Sequence, residues 1–208
     1  MKKYIKYGLL LIAIALLGYN AVYIKKLSEV RASSGQKFDA ATYVGKIWDE
    51  ALQQKLDSAI EISALRQALQ SDPEKAFSDF TKSLAIGNYR YALVKGLATV
   101  EQVNEDDISI VIESQPAFKA VFATEFIYGN ALRDASGIVK LEEFPNTEDL
   151  NAISEALNQA VREKVVPAIK PLLVPGKRVA FVGAVELNKE HIRFDNIEII
   201  PVSIKSVS

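Results

Sequence analysis

The chain has 208 residues, 49% of them hydrophobic and 25% charged, which is enough for one domain with a core of its own plus an appendage. Lys and Arg total 25 against 26 Asp and Glu, a formal net charge of -1, so no basic excess exists to hold a phosphate backbone and nucleic acid is not expected as a partner. Cysteine is absent and histidine occurs once, at His191, which removes disulfides, cysteine zinc sites and thiol nucleophiles and argues against a histidine-rich metal site or a serine–histidine triad; no cofactor is expected.

In chain order, residues 7–24, "YGLLLIAIALLGYNAVYI", carry no charge and are flanked by Lys2, Lys3 and Lys6 before and Lys25 and Lys26 after. At about 1.5 Å per residue such a helix just spans a hydrocarbon core of roughly 30 Å. An uncleaved signal anchor, a cleaved secretory signal and a buried helix all fit the run. A signal peptidase wants small residues soon after the apolar core, and "GYNAVYIKK" offers none that convince, while "EVRASS" lies late, beyond two lysines. The expectation is therefore an anchor over 1–26 with its positive end inside and the rest of the chain outside the cytoplasm, or secreted if cleavage occurs. Residues 27–37 read as a polar tether.

A helical region is expected over 38–86. Tyr43, Ile47 and Ala51, with Trp48, Leu52 and Leu56, recur at threes and fours behind Asp39 as N-cap. A second patch follows at Ile62, Leu65, Ala68 and Leu69. Asp72 before Pro73 starts a third helix, because proline at the first helical position gives up only an unbonded N–H; Phe77, Phe80 and Leu84 supply its inner face.

After Gly87 the period changes to two. "NYRYALVKGLATVEQV" reads as a long strand bent at Gly96, and "NEDD" turns into a half-buried strand with Ile108, Ile110 and Ile112 inward. "FKAVFATEFIY" follows, with Phe118, Phe122, Phe126 and Tyr128 in one phase. Asn146, three residues before Asp149, caps a helix that buries Leu150, Ile153, Leu157 and Val161, and Pro167, Pro171 and Pro175 are expected to stop it. "RVAFVGAVEL" and "IRFDNIEIIPVSI" make two more strands, the second with a bulge at Asp195 and Asn196. Three strands, a helix and a hairpin are the element order of an OB-type barrel. The fold class is thus α+β: an OB-like five-stranded antiparallel barrel over 87–208, with a helix between strands 3 and 4, preceded by the helical region and the anchor helix. An open antiparallel sheet with the same helix on one face is the alternative.

"FDAATYVGKIWDEAL", "GNALRDA" followed by "LEEF", the later "ALN", and the closing "GKRVAFVGAVEL" with "IEIIPVSI" together resemble the predicted periplasmic lipoproteins of domain-of-unknown-function family 2291, over roughly residues 38–204. The resemblance implies a periplasmic domain and a link to carbohydrate uptake through an ABC-type transporter, with a transporter component or a small solute as partner; it implies no established activity. Lipoproteins are anchored through an acylated cysteine and this chain has none, so its expected tie to the inner membrane is the N-terminal helix.

The candidate contact surface is the polar cluster after the third strand, where Arg133 could grip a carboxylate, phosphate or sugar hydroxyl and Asn130 and Asp134 could add hydrogen bonds. Against that stands a plain corner, with Gly129 supplying an unusual backbone angle and the polar side chains bonding locally. His191 beside Glu190 reads as an exposed turn residue. Glu142 with Glu143, and Asp106 with Asp107, are adjacent pairs whose side chains diverge in extended chain, so neither reads as a glycosidase acid and nucleophile. No phosphate loop, nucleophile elbow or zinc signature is present, and an enzyme is not expected. The expected function is that of a membrane-tethered accessory or solute-binding protein. The alternative is an interaction module of the cell envelope presenting Tyr43, Trp48 and Phe77 as an exposed patch.

Overall fold

The computed structural model describes residues 38–144 and 146–207, together with Tyr7; the expected anchor and tether, Tyr7 apart, lie outside the described residues. Among the described residues no helix is long and apolar enough to cross a membrane. Residues 39–208 form one compact unit.

Helix α1 (Ala40–Ile47) begins where the Asp39 carboxylate accepts the Thr42 N–H at 3.0 Å and the Thr42 hydroxyl at 2.6 Å, bonds that hold the Asp39 carboxyl below its usual range. The helix continues through a π-helical turn (Trp48–Leu52) and a last turn (Gln53–Leu56). Its buried residues are Val44, Trp48, Leu52 and Leu56. A strict spacing of four overruns the 3.6-residue turn of an α-helix, and the wider π turn takes up the excess. Strand β1 (Ile60–Glu61) pairs in parallel with Val94 and Lys95, and α2 (Ile62–Ser71) follows, burying Ile62, Leu65 and Leu69. Helix α3 (Pro73–Phe80) is capped by Asp72, which accepts the Lys75 N–H at 3.1 Å. Phe77 is buried, but Phe80 in the terminal turn is substantially exposed, against expectation: it stands 60° round from Phe77, and the chain leaves the helix in extended form at Thr81 before that edge is covered.

The expected exposed patch does not exist either. Trp48 and Phe77 are buried and Tyr43 is half-buried, its ring edge-on to Phe144 at 5.4 Å.

The sheet is organised by β2 (Tyr89–Val103), whose first eleven residues pair antiparallel with β5 (Arg178–Asn188) and five of whose last six, all but Glu101, pair with β3 (Asp107–Ile112). Strand β4 (Phe118–Ala123) pairs with β3, and β6 (Ile197–Ser206) lies between β4 and β5, so the pairings run β2, β3, β4, β6, β5 and return to β2. The β4–β6 ladder, Ala120 to Phe122 against Ile197 to Ile199, is parallel, which corrects the all-antiparallel expectation. A parallel ladder needs a long crossover, and residues 124–196 supply one.

Alternation places Ile108, Ile110 and Ile112 inside, and Phe122 meets Phe181 edge to face at 5.3 Å. Gly96 is not the site of the irregularity in β2: the register shifts between Val100 and Gln102, while Gly96 leaves room for the Phe181 ring, which a Cβ would meet at 3.2 Å. In β6 the bulge falls opposite Val182 and Gly183, not at Asp195 and Asn196. Those two residues belong to a turn before the strand, with Asn196 left-handed at φ 56°.

Between β4 and β5 come α4 (Ala131–Ser136), α5 (Thr147–Ala160), a π-helical turn (Val161–Val165), α6 (Val166–Ile169) and a 3₁₀ turn (Lys170–Leu172). The helical path thus runs past Pro167 and Pro171, which stand in the first turns of their own short segments, where a missing N–H costs little. The Asn146 cap of α5 is as expected: its Oδ1 accepts the Asp149 N–H at 2.8 Å.

Gly183 is the tightest point of the sheet, because an added Cβ would lie 2.5 Å from Ile199 Cγ2 and 2.6 Å from the Ile200 carbonyl oxygen. Gly183→Ala is expected to cost about 1–3 kcal/mol through overpacking, read as a lowered urea midpoint at unchanged slope.

Candidate functional site

The polar cluster, read from the sequence as a contact surface or a corner, is helix α4 behind Asn130 as its N-cap residue, and all six residues of the helix, Ala131–Ser136, are buried. Two glycines bracket it. Gly129 enters at φ 76°, and Gly137 closes the helix at φ 61°, where a Cβ would sit 2.4 Å from Lys82 Nζ. Arg133 is 4% exposed and Asp134 2%. Arg133 Nε donates to Asp134 Oδ1 at 2.7 Å, its Nη1 donates to the Leu150 carbonyl at 3.1 Å, and Asp134 Oδ2 accepts the Leu84 N–H at 2.9 Å. The Ser136 hydroxyl donates back to the Arg133 carbonyl at 2.8 Å. Among the described residues every buried side-chain nitrogen and oxygen has a partner. Arg133 and Asp134 therefore staple α4 to α5 and to the 81–88 connection, and both side chains are almost wholly buried there.

Asn130 is placed differently, at the mouth of a cleft. Ser154, Asn158 and Arg162 lie at i, i+4 and i+8 along α5 and its continuation, and they reach back over the exit from β4 in descending order. The Ser154 hydroxyl donates to Asn130 Oδ1 at 2.9 Å, Asn158 Nδ2 donates to the Gly129 carbonyl at 2.9 Å, and Arg162 Nη1 donates to the Ile127 carbonyl. These bonds hold residues 127–130 off the helix and leave a cleft of about 320 Å³ between them, whose wall also includes Asn151 and Glu155.

Tyr128 lines the cleft, and Phe126 stacks on it; the sequence puts both in one phase with Phe118 and Phe122. The strand ends at Ala123, because Thr124 and Glu125 turn their N–H groups onto the Asp106 carbonyl at 3.2 and 3.1 Å, and that turn breaks the two-residue phase. Phe126 and Tyr128 are consequently 56% and 70% exposed, stacked on each other at 6.4 Å and 24°, with the Arg162 guanidinium 5.9 Å from the Tyr128 ring centre.

Tyr128 and Gly129 also wall a second hollow of about 450 Å³ on the outer face of β5 and β6, floored by Ala131, Ala184 and Ile200 and carrying Glu186 and Glu198. Partial burial raises the Glu198 carboxyl, and repulsion from Glu186 and Asp107 adds to it. Burial, with the Glu186 charge behind it, pushes the nearby Tyr91 hydroxyl up to about 12. Among the described residues no group of three His, Cys, Asp or Glu could hold a metal ion. His191 is exposed in the β5–β6 connection.

Of the three residues that the sequence singles out at this corner, Arg133 and Asp134 are buried and Asn130 lines the cleft. The residues that shape the accessible cleft, Ser154, Asn158 and Arg162, were legible only as a polar stripe at i, i+4, i+8 in "SEALNQAVR".

Residues 12–205 match the family described as predicted periplasmic lipoprotein, domain of unknown function 2291. The structure is similar to the crystal structure of an OB-fold protein from Thermotoga maritima MSB8, with a TM-score of 0.70 at 25% identity over 83% of this chain and 100% of that one. None of the curated proteins matches the chain.

Arg133→Ala is expected to cost about 3–5 kcal/mol by leaving the Asp134 charge buried and unpaired, seen as a large fall in melting temperature; a surface clamp would leave stability nearly unchanged. For Glu198, a folded-state carboxyl raised above its ordinary 4.5 means that ionisation opposes folding: the penalty is absent below the unfolded value and grows as pH rises through the folded one. Glu198→Gln should therefore raise the urea midpoint at pH 7, and the difference from the parent should shrink toward pH 4.

Proposed function

The chain belongs to the predicted periplasmic lipoprotein family, whose members have a cell-envelope location, and from that premise we propose that it is an extracytoplasmic accessory protein that binds a small solute in the cleft between residues 127–130 and α5. The observation that carries this reading is the Phe126–Tyr128 stack. Large apolar rings are normally buried, and Tyr128, held outward at the cleft with Phe126 stacked on it, offers a surface on which a flat or ring-shaped solute can rest. The cleft lining supplies matching polar groups: Asn130 spends its Oδ1 on Ser154 and keeps Nδ2 for an acceptor, while Asn158 spends Nδ2 on Gly129 and keeps Oδ1 for a donor. The backbone between them is already pinned, so little ordering entropy is lost on binding.

In its finer form the proposal sets the protein beside an ABC-type transporter for carbohydrate, tethered to the inner membrane by residues 1–26. That form rests on the family resemblance and on the apolar run, and it makes sugars and sugar phosphates the first solutes to try. A second reading, an envelope interaction module without a small ligand, draws support from fully exposed Ile86 in the connection before β2, with Tyr89 and Phe80 also exposed.

A thermal-shift screen of sugars and sugar phosphates on the full chain tests the first reading, since a ligand that binds only the folded state must raise its apparent stability. A hit is expected, and Tyr128→Ala should weaken it about tenfold or more while moving the ligand-free melting temperature by no more than about 2 °C. No shift across the set, or a hit that Tyr128→Ala leaves intact, would move the assignment to the interaction module.

A further inference from the structure

We propose that a second, separate site lies in the groove between α2 and the β3–β4 turn, and that it takes a small oxyanion, a carboxylate or a phosphate, on Arg66. The groove holds about 470 Å³. Its walls are Ser63, Arg66, Gln67 and Gln70 on one side and Ser114 and Gln115 on the other. The α2 residues stand at i, i+3, i+4 and i+7, on the flank adjoining the face that buries Ile62, Leu65 and Leu69, so that Ser63 and Arg66 are half-buried. Every hydrogen-bonding side chain in the wall is neutral except Arg66.

Arg66 is held from one side only. Its Cζ sits 4.6 Å from the centre of the Phe118 ring, which is itself buried and braced edge-on by Phe194 at 6.0 Å. Nη1 donates to the Pro116 carbonyl at 3.4 Å, an oxygen that also accepts the Ser114 hydroxyl at 2.8 Å. Nε and Nη2 have no acceptor among the described residues, and no described carboxylate lies within ion-pair distance of this guanidinium. Arg133 and Arg178 spend their donors on the carboxylates of Asp134 and Glu113 and Arg90 spends two on Thr81, while Arg162 shares the Arg66 pattern of one carbonyl bond and a ring contact but lines the other cleft.

A guanidinium fixed by its face and one corner keeps an edge of parallel N–H donors, and that fork matches two oxygens of a carboxylate or phosphate. Three primary amides and two hydroxyls around it can bond the body of the ligand without competing for the charge. The Phe118 contact and the Pro116 bond restrain the arginine, so binding loses less entropy there than at a free surface arginine.

The test uses the full chain with the Arg66 Nε–Hε resonance and the melting temperature as readouts, titrated with inorganic phosphate, with acetate, and with chloride at matched ionic strength. Saturation by phosphate, by acetate or by both, at about 1–10 mM, is expected, and whichever anion saturates identifies the chemistry. Arg66→Lys, which keeps the charge and loses the fork, should weaken the response about tenfold or more. Gln67→Ala with Gln115→Ala leaves the Phe118 contact intact and should weaken it several-fold, so the proposal stays testable if position 66 tolerates no change. Tyr128→Ala should leave it unaltered, which separates this groove from the solute cleft. A response that follows ionic strength alone, chloride included, or one unchanged in the Gln67 and Gln115 variant, overturns the proposal.

Discussion

The corner of this fold depends on one buried charge pair between sequence neighbours. Side chains at adjacent positions usually diverge, yet Arg133 and Asp134 meet at 2.7 Å inside the protein, and each can stay charged there only because other elements complete its hydrogen bonds. Asp134 takes the Leu84 N–H, and Arg133 gives a proton donor to the Leu150 carbonyl. A displacement of α4 would strand two charges in an apolar setting. The six-residue helix, too short to persist by its own propensity, is fixed in this way between the strand exit, α5 and the connection before β2.

With α4 pinned, the other face of the corner becomes available. The stripe Ser154, Asn158 and Arg162 ties the side chain of Asn130 and the carbonyls of Gly129 and Ile127 to α5 and its continuation, and the cleft lies along that seam. The Phe126–Tyr128 stack faces outward because the β4 ladder has already ended at Ala123. The carboxylates Glu186 and Glu198 on the adjacent sheet face add a local electrostatic penalty that the fold bears without a described cation beside them.

Much of the architecture could be read along the chain, for reasons that are local. Asp39, Asp72 and Asn146 are short-range acceptors for N–H groups three residues on, and each starts the helix expected of it. The isoleucines at 108, 110 and 112 need only the two-residue pleat to find the interior. What failed was phase continued past an unrecognised turn. Phe126 and Tyr128 extend the spacing of Phe118 and Phe122 on paper, but the Asp106 carbonyl captures the N–H groups of Thr124 and Glu125 and ends the strand first. The helix α4 was missed because no local signal exceeds its glycine-bounded, polar composition; its stability comes from Leu84 and Leu150, which lie 50 and 17 residues away from their partners.

The sequence by itself determined the three capped helix starts at Asp39, Asp72 and Asn146, the inward faces of the central strands, the order of the five long strands and the resemblance to an envelope family, because caps, pleats and periodicities are properties of neighbouring residues. Only the tertiary structure decided which polar residues are reachable. It turned Arg133 and Asp134 inward and left Asn130 at a cleft, it buried Trp48 and Phe77 and exposed Tyr128, and it left Arg66 without a counter-charge. Those outcomes depend on contacts between residues distant in the chain, and whether a charge is stapled or free is set by what the fold brings to meet it.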